Sequence, residues 1–172
     1  EIGTGGAKNN FFFLMRNIRA PYVMFCDQDD IWRKEKIEKT YQAMIAAEAS
    51  HGRGKPILVF SDLTVVDQQL NIIADRMSGL QKLNPEKTQL KDCLIQNVIT
   101  GCTAMINRAC LEKSLAEIDD DNIIMYDWWC ALVAAYFGEI TFIDEALVLY
   151  RQHGDNALGV VPVADPHYIA NL

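Results

Sequence analysis

The sequence predicts an α/β fold, an open sheet with helices on both faces. Three observations carry this reading. Short continuous apolar runs have the length of buried strands, helix-length stretches alternate with them, and no repeat, low-complexity tract or linker divides the chain. The 172 residues suit a single domain, 1–172, large enough to bury a core without disulfide or metal staples.

The elements follow in order. A helix is expected from Gly6 to about Ile18, with Phe12 and Met15 on its apolar face, ended by Ala20-Pro21. Tyr22–Cys26 reads as a buried strand of the kind found in parallel sheets. Lys34 to about Ala49 reads as an amphipathic helix, its inward stripe being Ile37, Tyr41, Met44 and Ile45. Ile57–Phe60 is a second strand, ending at Ser61-Asp62, with Thr64–Asp67 still extended. A helix is expected between Glu86 and Ile95, where Leu90 and Leu94 share a face, and then a strand over Cys102–Ile106. A helix over Arg108–Ile118 precedes an acidic turn, Asp119–Asn122. Tyr126–Phe137 is apolar on nearly every side, hence a buried helix, with Gly138 as its cap. Ile140–Ile143 and Ala146–Tyr150 read as strands, and the tail beyond Gly154 as irregular.

Composition excludes several function classes. The 16 basic and 23 acidic residues leave a net charge of −7, which argues against nucleic acid or an anionic membrane surface as the main partner. No apolar run approaches the roughly 20 residues of a membrane span, and no signal peptide opens the sequence. The five cysteines form no CxxC pair, so they read as buried inert thiols of a cytoplasmic protein.

The strongest chemical signal is Asp27-Gln28-Asp29-Asp30 at the carboxyl end of an apolar strand, the edge where open α/β sheets bind ligands. Crowded carboxylates repel one another, and Mg2+ or Mn2+ relieves the repulsion while leaving room for substrate phosphates. The same residues also read as a solvated loop that caps the next helix. Asp127, at the start of an apolar helix, suits a general base, because burial raises a carboxylate pKa; the commoner use of such a residue is a helix cap, and capping would itself fix the carboxylate's orientation. Tyr150-Arg151-Gln152-His153 brings a cation and an imidazole to a strand end, where Arg151 can bind phosphate and His153 can ligate a metal, or the pair forms a surface turn. Gly101 can let the backbone approach a ligand, or is simply a loop glycine. Trp32, Trp128 and Trp129 can stack on a sugar, although core packing is the commoner use.

Four segments in order resemble family 2 glycosyltransferases, most closely the rhamnosyltransferase-like branch. They are Val23–Trp32 with its Asp-Gln-Asp-Asp-x-Trp core and the Lys34–Ile37 that follows, Asn97–Cys102, Met125–Trp129, and Leu149–Asn156. The resemblance implies a GT-A fold and inverting, metal-dependent transfer of a sugar from a dTDP-, UDP- or GDP-sugar. The acceptor would be a glycan or lipid-linked glycan of a bacterial surface polysaccharide, and the work would be done in the cytoplasm or at the inner face of the cell membrane. It assigns Asp29 and His153 to the metal, Asp27, Gln28, Asp30, Gly101 and Arg151 to the donor, and Asp127 to deprotonation of the acceptor. Two features depart from the family pattern. Tyr126 stands where a histidine is usual, and the family's opening Pro-Thr/Ser-Tyr-Asn segment is not found before Gly6. The expectation is therefore an N-terminally truncated GT-A domain, represented by its C-terminal portion. The rival readings are a metal-dependent nucleotidyltransferase and a non-catalytic carbohydrate-binding or assembly fragment.

Overall fold

The computed structural model describes residues 6–116 and 122–152. His153 and the tail lie outside them, as do Thr4 and most of the acidic turn. Helix α1 (Gly6–Asn17) leads into strand β1 (Tyr22–Met24), and β2 (Ile31–Trp32) follows the acidic loop. Helix α2 (Lys36–His51) and the long strand β3 (Ile57–Val66) come next, then β4 (Ile72–Ala74) and two single-turn helices, α3 (Met77–Leu80) and α4 (Leu90–Cys93). A 3-10 turn (Gly101–Thr103) precedes β5 (Met105–Asn107), α5 (Arg108–Ala116), α6 (Tyr126–Phe137) and β6 (Glu139–Arg151).

The strands form one mixed sheet in the order β1-β5-β3-β6-β2, with β4 also paired to β3. Only β3 and β6 run parallel among the described strands. Strand β1, expected in a parallel setting, instead lies antiparallel to β5, with Val23 opposite Ile106. Helices cover both faces, as the alternation along β3 shows. Leu58 and Phe60, with Ile106 of the neighbouring β5, face a core of Phe12, Met15, Leu111, Cys130 and Ala134 supplied by α1, α5 and α6. Ile57 and Val59 face Met44 and Ala47 of α2.

Several expectations need correction. The inward face of α2 is Lys36, Thr40, Met44, Ala47 and Glu48, while Ile37 and Tyr41 are 58% and 45% exposed. Polar partners turn the helix this way: Glu48 accepts hydrogen bonds from Tyr22 Oη at 2.8 Å and Asn107 Nδ2 at 3.2 Å. The helix expected over 86–95 is one turn. Asn84 Oδ1 accepts from Glu86 N at 3.0 Å, and its carbonyl accepts from Lys87 N, so local turns occupy the backbone up to Thr88. The Cys102–Ile106 strand begins only at Met105, because the Thr100 carbonyl accepts from both Thr103 N and Thr103 Oγ1 and closes a turn. The strands at 57–60 and 64–67 are one strand, and so are those at 140–143 and 146–150, each pair joined across register shifts. Tyr136 and Phe137 at the end of α6 are exposed, and Cys26 is exposed rather than buried. Gly138 ends α6 with an extended backbone (φ −154°), so a left-handed cap is not its reason. A Cβ there would stand 1.7 Å from the Pro56 carbonyl oxygen, which leaves room only for glycine.

Candidate functional site

The site gathers at the end of the sheet where β1 gives way to the acidic loop. Residues 25–30 are pinned at both ends, by β1 on β5 and by β2 on β6, with Ile31 opposite Leu149 and Trp32 opposite Val148. That second pairing brings the end of β6 to the loop. Arg151 N donates to Asp30 Oδ1 at 3.3 Å, and Arg151 Nε donates to the Asp29 carbonyl at 3.1 Å. A further guanidinium N–H reaches the Gln68 carbonyl at 3.3 Å. Arg151 thus ties the loop to the sheet.

The loop presents its carboxylates unequally. Asp27, Asp29 and Asp30 are half-buried and Gln28 is exposed. Ligating atoms of Asp27, Asp30 and Cys102 all lie within 4.8 Å of one another. Asp29, the residue assigned to the metal from the sequence, is not in this group. Asp30 Oδ2 is buried without a hydrogen-bond partner, and two carboxylates with a thiol form a donor set a divalent cation can use. Burial and the charges of Asp30, Asp29 and Asp127 push Asp27 up to about 6. Burial raises Asp30 as well, opposed by the Cys102 thiol and the Arg151 N–H. The Cys102 thiol itself is held well above its usual range by burial and by Asp30. A cation bound through that sulfur would have to displace its proton.

Asp127 is the second residue of α6, two past the Met125 N-cap, so it is not the N-cap itself, although it satisfies one first-turn amide of the helix. Its carboxylate is nonetheless fixed by two backbone donors, Gly101 N to Oδ2 at 2.9 Å and Trp128 N to Oδ1 at 2.7 Å. Burial pushes Asp127 up to about 6, against the pull of these N–H groups. Gly101, whose N–H it accepts, is followed by Cys102, whose thiol groups with Asp27 and Asp30, so the carboxylate stands next to the acidic cluster; its charge also raises Asp27.

Gly101 also makes room for a neighbouring side chain. A Cβ there would lie 2.0 Å from Tyr126 Oη, so the phenol fills that space. Tyr126 packs against Phe11 and Phe25, with ring centroids at 4.1 and 4.9 Å. Trp128 and Trp129 are structural: their indole N–H groups donate to the Cys93 carbonyl at 2.6 Å and the Ser114 carbonyl at 2.9 Å.

Three residues here escaped the sequence reading. Tyr126 wedges Gly101, Cys102 joins the carboxylates, and Lys36 lies buried behind them. All three lie within the four family-like segments, but an apolar-run pattern marks Cys102 as core and a helix-start lysine as solvated, so neither received a role of its own.

A protein with this arrangement has known relatives. The family model for glycosyl transferase family 2 matches residues 3–115. The chain is 30% identical over 167 residues to the dTDP-rhamnosyl transferase RfbG of Shigella flexneri, covering 90% of this chain and 52% of that protein. It therefore spans about half the length of that relative. With the acidic loop, the Gly101 turn and the start of α6 brought to one place, and the family model matching most of the sequence, the chain belongs to glycosyl transferase family 2.

Proposed function

We propose that this chain carries the catalytic centre of an inverting, divalent-cation-dependent glycosyltransferase. The donor is a nucleoside-diphosphate sugar, with dTDP-rhamnose the first choice given the similarity to a dTDP-rhamnosyl transferase. The acceptor is a hydroxyl of a glycan or lipid-linked glycan of a bacterial surface polysaccharide, and the reaction runs on the cytoplasmic side. The observation that carries the reading is Asp127: a carboxylate raised to about 6, locked by two backbone N–H groups, beside a cluster of further carboxylates.

The chemistry follows from that placement. Asp127 takes the proton of the acceptor hydroxyl as its oxygen attacks the anomeric carbon. The bond from that carbon to the diphosphate oxygen breaks on the opposite face, so the sugar inverts and the nucleoside diphosphate leaves. The Gly101 and Trp128 N–H groups hold Asp127 in one orientation, so little reorganisation is needed at the moment of transfer. Asp27, Asp30 and Cys102 would hold a Mg2+ or Mn2+ ion, with Asp29 and His153 as the further ligands assigned from the sequence. Such an ion would neutralise charge on the departing diphosphate. Gln28 is exposed on the loop and is assigned to the donor; Arg151 serves the donor by fixing the loop.

The test is a melting experiment on the full-length protein with Mn2+ and dTDP, UDP or GDP in turn, since a ligand of the folded state raises the melting temperature. A Mn2+-dependent rise with one nucleoside diphosphate supports the reading, and dTDP is the one expected. No rise with any of them overturns it. Pyrophosphate release from a nucleoside triphosphate would favour the nucleotidyltransferase instead. Metal-independent binding of glycan alone would favour a non-catalytic binding domain.

A further inference from the structure

Lys36 is the first residue of α2, and its side chain is fully buried. Both facts disfavour a cation there, because burial removes hydration and a helix N-terminus is the positive end of its dipole. Its ammonium lies 3.7 Å from the centroid of the Trp32 ring and makes no hydrogen bond. A cation–π contact offsets only part of the desolvation.

Two other buried polar atoms of the same corner also lack a hydrogen-bond partner, Asp30 Oδ2 and Trp32 Nε1. Of the groups that face Lys36, the Cys102 and Cys26 thiols are both raised and carry no charge near neutral pH, which leaves Asp30 as the carboxylate whose charge acts on the ammonium. The ammonium is therefore near the acidic cluster and closed to solvent.

We propose that Lys36 is a positioning residue: its buried ammonium is the fixed counter-charge that holds Asp30 in place and so keeps the Asp27, Asp30 and Cys102 group set for a divalent cation. This rests on the cation reading given above. Asp30 is then held from two directions. Its Oδ1 is fixed by the Arg151 N–H at 3.3 Å, and the carboxylate as a whole is attracted by Lys36 across the low-dielectric interior. Three carboxylates within four residues repel one another, and one internal cation offsets part of that repulsion before any metal binds. The Trp32 ring, two residues after Asp30 and four before Lys36, lies against the same ammonium.

The test compares four forms of the full-length protein: wild type, Lys36→Met, Asp30→Asn and the double variant. Two readouts are taken, the urea midpoint without metal and Mn2+ binding by electron paramagnetic resonance. Each single substitution leaves one buried charge without its counterpart and lowers the midpoint; the double variant loses less than the sum of the two. Lys36→Met also weakens Mn2+ binding by about tenfold or more, the usual effect of removing support behind a metal ligand. That sign is diagnostic, because removing a cation from an acidic site would by charge alone tighten Mn2+ binding. Additive losses of stability, or Mn2+ bound by Lys36→Met at least as tightly as by wild type, would overturn the proposal. Should Lys36→Met fail to fold, the double variant decides: recovery of folding supports the pairing, and continued failure refutes it. A wild-type protein that binds no Mn2+ would remove the cation reading, and the stability cycle alone would then decide the pairing.

Discussion

Asp127 and Gly101 are joined more closely than any pattern along the chain indicates. The glycine gives its N–H to the carboxylate and gives the space of its missing Cβ to the Tyr126 hydroxyl. Tyr126 and Asp127 are adjacent on α6, so one turn of backbone receives both side chains of the helix start. The sequence marked Asp127 and Gly101 as separate candidates, each with an ordinary structural alternative. Their connection is a contact across 26 residues, and spacing along one element cannot report it. The same holds for Cys102, whose partners Asp27 and Asp30 lie far back in the chain. Gly101→Ala should therefore cost about 1–3 kcal/mol in urea unfolding, as overpacking in a buried site does. It should also lower turnover, because the ring must shift and the N–H to Asp127 shifts with it. A Gly101→Ala protein with wild-type stability and rate would show that the wedge is unimportant.

At the scale of elements, helix α6 was legible because nothing local competes with it: a continuous apolar run, bounded by an acidic turn and a glycine, has the right length. The reason for that glycine was not legible, since it lies in the approach of Pro56 from a distant loop. Helix α2 was legible in extent and misread in orientation. Ile37 and Tyr41 fit an apolar stripe, yet Glu48 goes inward because hydrogen bonds from Tyr22 and Asn107 await it, and Thr40 goes with it, its hydroxyl satisfied by the Lys36 carbonyl of the same helix. Burial of a polar group needs such partners, and partners from other elements are invisible in a periodicity. Met44→Ala should accordingly destabilise by about 2–5 kcal/mol, the range for a large core side chain. Ile37→Gln should change stability by no more than about 0.5 kcal/mol, as surface substitutions do. Urea midpoints of the two variants check the orientation, and the opposite ranking would restore the stripe read from the sequence.

For the whole molecule, the topology explains why the site stands where it does. Strands β3 and β6 run parallel through the centre, and β6 delivers Arg151 to the loop that β1 and β2 suspend. Helix α6 brings Asp127 to the same edge from the other core face. The α/β class with helices on both faces was readable from alternating runs alone, and the family from four motifs in order. The antiparallel placement of β1 was not, because a three-residue apolar strand carries no mark of its neighbour's direction. Among the described residues no helix is long and apolar enough to cross a membrane.

The account turns on Asp127 as the base, and the kinetics of Asp127→Asn in the full-length protein address that directly. With wild type, kcat/KM should rise with pH along an acid limb near 6, because the carboxylate, raised to about 6, must lose its proton before it can accept one. Asp127→Asn should lower kcat by about 100- to 10,000-fold and remove that limb, while donor binding stays within about twofold of wild type. An Asp127→Asn enzyme with an undiminished kcat and the same acid limb would contradict the account.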